Sequence, residues 1–168
     1  MKAIVYTTNT GSAEKYAQLL AQATGLPVYS FNDAKKYVPD RAEIIYVGWI
    51  MACKVKGYRA AAKRFNVRAV CAVGMAKTGS QSELIRSKNA VPADTSVFDL
   101  QGDFNVKKLR GIYRAVMEPM IKTLGRGLAE KNDRTQEENN MLDMLLHGGE
   151  RVSEENLGEV IDWYRTQI

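Results

Sequence analysis

An α/β fold, with helices covering both faces of a parallel sheet, is what this sequence predicts, and three observations carry the prediction. Short β-branched runs alternate with stretches of helical spacing from Lys2 to Leu100. Two of those runs, 43–48 (EIIYVG) after its opening Glu43 and 69–74 (AVCAVG), are continuously apolar, the pattern of strands buried on both faces. At 168 residues, 45% hydrophobic and 26% charged, the chain can bury a core without metals or disulfides, so one domain over 1–168 is expected.

The elements follow in order. Residues 2–7 (KAIVYT) form a β-branched and aromatic run that ends in the polar cluster TNTGS, as a buried strand feeding a turn should. Ala13, Tyr16, Ala17 and Leu20 then share one helical face, and Gly25 is placed to end that helix. Strands are predicted at 26–31, 43–48, 69–74 and 96–100, with helices at 58–65 and 82–88 between them.

The last third reads as helical. Val106, Leu109, Ile112, Tyr113, Val116, Met117, Met120, Ile121 and Leu124 keep helical spacing, with Pro119 expected to kink or restart the helix. The polar stretch 125–136 reads as a flexible connection. Thr135 and Glu138 make a capping box before Met141, Leu142 and Leu145, and Gly148-Gly149 stops that helix. Ser153 is expected to cap a final helix facing inward with Leu157, Val160, Ile161 and Tyr164.

Some functions are excluded early. No apolar run has the length of a signal h-region or a membrane span, so no integral membrane segment is expected. Cys53 and Cys71 stand in no metal or redox spacing and read as reduced thiols of a cytoplasmic protein. The net charge of +5 favours anionic partners without selecting nucleic acid, and no nucleic-acid partner is predicted.

Chemistry concentrates in the first turn. Thr8, Asn9, Thr10, Gly11, Ser12 and Ala13 combine hydroxyl donors, successive backbone N–H groups, a glycine and a helix N-terminus, the parts of a phosphate site. The alternative for such a hexapeptide is an N-capping turn that binds nothing. Its position, at the carboxyl end of the first strand, is where ligands bind in a doubly wound sheet. Neither GxGxxG nor a Walker loop is present, there is no cysteine nucleophile in the turn, and the third strand ends in Gly48-Trp49 rather than an aspartate. Dinucleotide-binding, P-loop, small-phosphatase and receiver readings drop out. No catalytic or metal residues are assigned, and His147 reads as a helix C-terminal residue.

The turn matches the flavodoxin pattern [ST]-x-[ST]-G-x-[ST] at Thr8, Thr10 and Gly11, and the order of elements resembles a flavodoxin over essentially the whole chain. Ala13 departs from it, replacing the last hydroxyl. The resemblance implies a flavodoxin-like three-layer sandwich with a five-stranded parallel sheet in the order 2-1-3-4-5, binding FMN non-covalently. It also implies a flavin ring between the loops after the third and fourth strands. Those loops supply Trp49, Ile50, Met51, Ala52, Cys53 and Lys54 on one side, and Met75, Ala76, Lys77, Thr78 and Gly79 on the other. Trp49 is either a stacking partner for the ring or a core residue. The second loop lacks the outer aromatic of many flavodoxins, which leaves one flavin face open to a redox partner protein or to a small flat substrate such as a quinone.

Charge separates this chain from acidic flavodoxins. Between Glu43 and Glu83 there is no acid, but there are Lys54, Lys56, Arg59, Lys63, Arg64, Arg68 and Lys77. Such a field favours the reduced, anionic flavin. Arg59, Lys63 and Arg64 read as a solvated helix face, which leaves Lys54 and Lys77 as the functional candidates. The segment 97–104 (VFDLQGDF), leading to Lys107, Lys108, Arg110 and Arg114, resembles the corresponding stretch of the flavodoxin-type, quinone-dependent protoporphyrinogen oxidases of bacteria, although their long insert after the fourth strand is short or missing. A basic amphipathic helix is a form that makes peripheral contact with anionic membranes. The simpler expectation packs Met117, Met120 and Leu124 on the sheet. Electron transfer through FMN is thus the leading expectation, with an FMN-dependent oxidoreductase of quinone or protoporphyrinogen oxidase type, and a binding module that has lost FMN, as alternatives.

Overall fold

The computed structural model describes residues 1–103 and 111–167. The chain divides into two compact units, one of Met1–Gly102 with Val152–Ile168 and the other of Asp103–Arg151. In the first unit β1 (Ala3–Thr7), β2 (Val28–Ser30), β3 (Glu43–Met51), β5 (Asn66–Gly74) and β6 (Ser96–Gln101) pair in parallel in the order β2-β1-β3-β5-β6. The expected order of five parallel strands is therefore present. β4 (Lys54–Val55) lies off this path, antiparallel to β3.

Two apolar layers sandwich the sheet, because successive strand residues point to opposite faces. On one face Ile4, Ile45, Val47 and Cys71 meet Ala13, Tyr16, Ala17 and Leu20 of α1 (Ser12–Thr24) and Val160 and Tyr164 of α7 (Gly158–Arg165). On the other, Val5, Ile44, Tyr46 and Val70 meet Ala34 of α2 (Phe31–Tyr37), Tyr58 and Ala61 of α3 (Tyr58–Arg64) and Ile85 of α4 (Ser82–Asn89). This is a flavodoxin-like three-layer sandwich. Helix α2 falls partly on the predicted strand 26–31. The Ser30 side chain accepts from the Asp33 N–H and starts a helix where the sequence was read as extended.

The second unit contains α5 (Gly111–Glu130) and α6 (Gln136–His147). Helix α5 runs through Pro119 and takes in 125–130, so the predicted connection shrinks to the residues after Glu130. Val116, Met120 and Leu124, the last two expected to be packed on the sheet, are exposed, and Ile121 is buried; the side chain of Met117 lies outside the described residues. Val106, Leu109, Lys107, Lys108, Arg110 and Phe104 lie outside the described residues. The capping box forms as read, Thr135 accepting from the Glu138 N–H while the Glu138 carboxylate accepts from the Thr135 N–H. Back in the first unit, Ser153 does not cap α7; a 3₁₀ turn, Glu155–Leu157, precedes it. Among the described residues no helix is long and apolar enough to cross a membrane.

Candidate functional site

The register of the sheet brings the predicted segments to one edge. Thr7 pairs with Gly48, Gly48 with Ala72, and Trp49 with Val73. The turn after β1, the end of β3 and the loop after β5 therefore leave adjacent strands at the same level, about 4.8 Å apart from strand to strand. This is the carboxyl edge, and β1/β3 is the point where the chain reverses its direction of travel across the sheet.

Gly11 sits at φ 103° before α1, with open space where a Cβ would be. Its N–H donates to Thr8 Oγ1 at 3.0 Å, closing the turn. No side chain caps α1 there. Asn9 Nδ2 is buried with no hydrogen-bond partner among the described residues. Ser12 and Ala13 are buried, and Ala13 belongs to the core under α1. What Ala13 offers a ligand is its backbone, since its methyl is committed to packing. Glu14, the acid of the first helical turn, accepts from the Tyr6 hydroxyl at 2.8 Å. Burial, then the Glu14 bond, pushes the Tyr6 phenol up to about 12.

Beneath the turn, the Thr7 and Tyr46 hydroxyls lie 2.7 Å apart and at 2.8 and 2.7 Å from the Lys56 carbonyl, and their two protons serve two of these three contacts. Burial raises Tyr46 to about 12, against the Thr7 bond, which lowers it. Gly57, at φ 81°, passes so close to the Tyr46 hydroxyl and Thr7 that a side chain there would collide with both.

The segment read as a loop from Trp49 onward is a hairpin. Strand β3 continues through Trp49, Ile50 and Met51, Ala52 and Cys53 turn at φ 49° and 60°, and β4 returns. Two consecutive left-handed residues are the geometry of a type I′ turn. Buried Asn89 docks the hairpin on α4: its Oδ1 accepts from the Val55 N–H and its Nδ2 donates to the Cys53 carbonyl, both at 2.8 Å. Lys54 Nζ donates to the Lys88 carbonyl at the end of the same helix, so this candidate cation serves the hairpin. Trp49 is half-buried and outside both buried clusters, and the Lys56 ammonium lies 5.9 Å from its ring centroid. Lys56, one of the basic residues of the acid-free stretch, is thus the cation beside the indole rather than Lys54.

Asp99 of β6, 4% exposed, organises the second loop. Its Oδ2 accepts from the Ser80 and Gln81 N–H groups at 3.0 and 3.1 Å, and its Oδ1 from the Ser82 hydroxyl at 2.5 Å. From a neighbouring strand it thereby fixes the residues that lead into α4, a role invisible in sequence. Met75 and Ala76 are half-buried, and Lys77 is exposed, its carbonyl accepting from the Ser80 N–H and hydroxyl and its ammonium without a partner among the described residues. The Met75 carbonyl accepts from Gln101 Nε2 at 3.3 Å, and Gly79 N–H donates to the Asp99 carbonyl at 3.2 Å. Elsewhere in the basic stretch, Arg64 pairs with Asp40 at 2.8 Å, outside hydrogen-bond geometry, and Arg68 with Glu43 at 3.8 Å. Both acids lie outside the acid-free stretch, so its net field is smaller than the sequence count.

The arrangement is one edge with an anion-suited turn, a half-buried indole beside a cation, and a rigidly tied loop. Compared with protein-family models, with curated proteins and with solved structures, the chain has no match.

Proposed function

We propose that the chain binds one FMN at the carboxyl edge of its sheet and passes electrons through it, to or from a redox partner protein or a small flat substrate such as a quinone. The observation that carries the reading is the Asn9 Nδ2 donor, buried and without a partner among the described residues, in the turn between β1 and α1. A buried donor without an acceptor costs about 1–3 kcal/mol, and a phosphate oxygen is an acceptor that removes that cost. The open side of Gly11 and the first N–H groups of α1 add donors around the same point. Thr8, Asn9, Thr10, Gly11 and Ser12 would hold the phosphate, with Ala13 contributing its N–H. Trp49, Ile50 and Met51 would line one side of the flavin and Met75, Ala76, Lys77, Thr78 and Gly79 the other. Ala52 and Cys53 contribute the turn that sets the first side, and Lys54 anchors it. FMN supplies the redox chemistry, while the chain binds it, orients it and sets the field around it. A cytoplasmic setting, with reduced Cys53 and Cys71, accords with this reading.

Asn9→Leu tests it. The apo chain should keep or gain stability, because an unpaired buried amide is removed. FMN affinity should fall by about 1.5–3 kcal/mol, the scale of a hydrogen bond to a charged group. Unchanged FMN affinity, measured by flavin fluorescence quenching, would move the phosphate away from this turn.

A further inference from the structure

Strand β6 ends in a closed circuit of hydrogen bonds. Asn156 Nδ2 donates to the Tyr16 phenol oxygen at 2.7 Å, and the Tyr16 hydroxyl donates to the Gln101 carbonyl at 2.5 Å. From the same residue, the Gln101 N–H donates to Thr78 Oγ1 at 3.0 Å, and the Thr78 hydroxyl donates to Asn156 Oδ1 at 2.9 Å. Every bond runs in the same sense, so each hydroxyl both accepts and donates, and neighbouring bonds polarise one another.

The four members come from four places in the first unit. Tyr16 is a fully buried residue of α1, Thr78 stands in the loop after β5, Gln101 ends β6, and Asn156 belongs to the 3₁₀ turn before α7. Tyr16 lies one helical turn beyond the start of α1, the helix that opens on the Thr8–Gly11 turn. Thr78 lies in the second candidate loop. Asn156 is the member whose two side-chain ends join these elements directly, across separations of 140 and 78 residues. Apolar packing would hold α1 on the sheet equally well, but it would not fix the direction in which Thr78 faces.

We infer that Asn156 is a positioning residue of the candidate flavin site: it holds the loop Met75–Gly79 in one conformation, with α1 as its reference. What that loop meets rests on the flavin reading; the holding of the loop does not. Loss of Asn156 frees Thr78 and with it the Gln101 N–H, while the phosphate turn keeps its own bond between Gly11 and Thr8. The ring end of the site loosens and the phosphate end does not.

The test uses the full chain, first without flavin. In Asn156→Leu, amide hydrogen exchange at Gly79, Ser80 and Gln101 should quicken about tenfold, while amides of the central strands keep their rates. Thr78→Val should give the same pattern should Asn156→Leu fold poorly, and Glu155→Ala, exposed in the same turn, should not. With flavin added, Asn156→Leu should weaken FMN and riboflavin by the same factor, about five- to tenfold, since the loss is at the ring. Unchanged exchange at the three amides, or equal acceleration throughout the sheet, overturns the inference. Absence of flavin binding by the unsubstituted chain overturns the flavin reading, and acceleration confined to those three amides still assigns the loop to Asn156.

Discussion

Lys77 and Lys54 looked equivalent as basic loop residues, and the fold separates them. Both are exposed, but Lys54 donates to the Lys88 carbonyl and ties the hairpin to α4, while Lys77 stands in the loop after β5. Lys77→Gln should therefore move the potential of bound flavin to more negative values, by roughly 10–30 mV at low salt and less as salt rises. Lys54→Gln should move the potential less and lower stability as well. Redox titration of both variants checks this, and equal shifts would contradict the assignment of Lys54 to the hairpin. Cys71 gives a second test at the same scale. Burial raises its thiol to about 12 from an ordinary value of 9.0. A folded-state value above the unfolded one means its contribution is intact below about pH 9 and is lost as pH rises toward 12. Cys71→Ala should flatten the fall of stability across that window, as read by denaturant unfolding at each pH. A slope unchanged by the substitution would place the alkaline loss elsewhere, with the buried Tyr46 phenol as the next candidate.

At the scale of elements, the hairpin was the largest surprise. Its turn residues, Ala52 and Cys53, carry none of the asparagine or glycine that announce a type I′ turn, so β3 was read as ending at Gly48. Asn89 compensates by binding the hairpin from both sides, and no local pattern reveals a helix residue doing so. Replacing Ala52-Cys53 with Asn-Gly should stabilise the chain by about 1–2 kcal/mol, because both residues adopt a left-handed backbone that L side chains disfavour. Thermal unfolding checks it; a loss of stability would mean that the two native side chains carry packing that outweighs the strain. Helix α2 was missed for a related reason. Residues 26–31 satisfy a strand pattern, and the strand Val28–Ser30 and the helix capped by Ser30 share a boundary.

For the whole molecule, the five strands and most of the covering helices were legible, since continuous apolar runs and helical periodicity follow directly from burial, while the strand order rested on the resemblance to flavodoxins. Less of the site was legible. The turn Thr8–Ala13 stood out because its chemistry is contiguous. Asp99 and Asn156 did not, because each acts on residues far away in sequence, and Lys56 did not, because the hairpin that folds it back on Trp49 carries no turn signal. The account stands or falls on the phosphate turn, and the most direct measurement is a paired titration of the apo chain with FMN and riboflavin, which differ by the phosphate alone. One FMN per chain, bound at least about tenfold more tightly than riboflavin, is the predicted result, with the difference lost in Thr10→Val or Asn9→Leu. Equal affinity for the two flavins, or no binding of either, would contradict it.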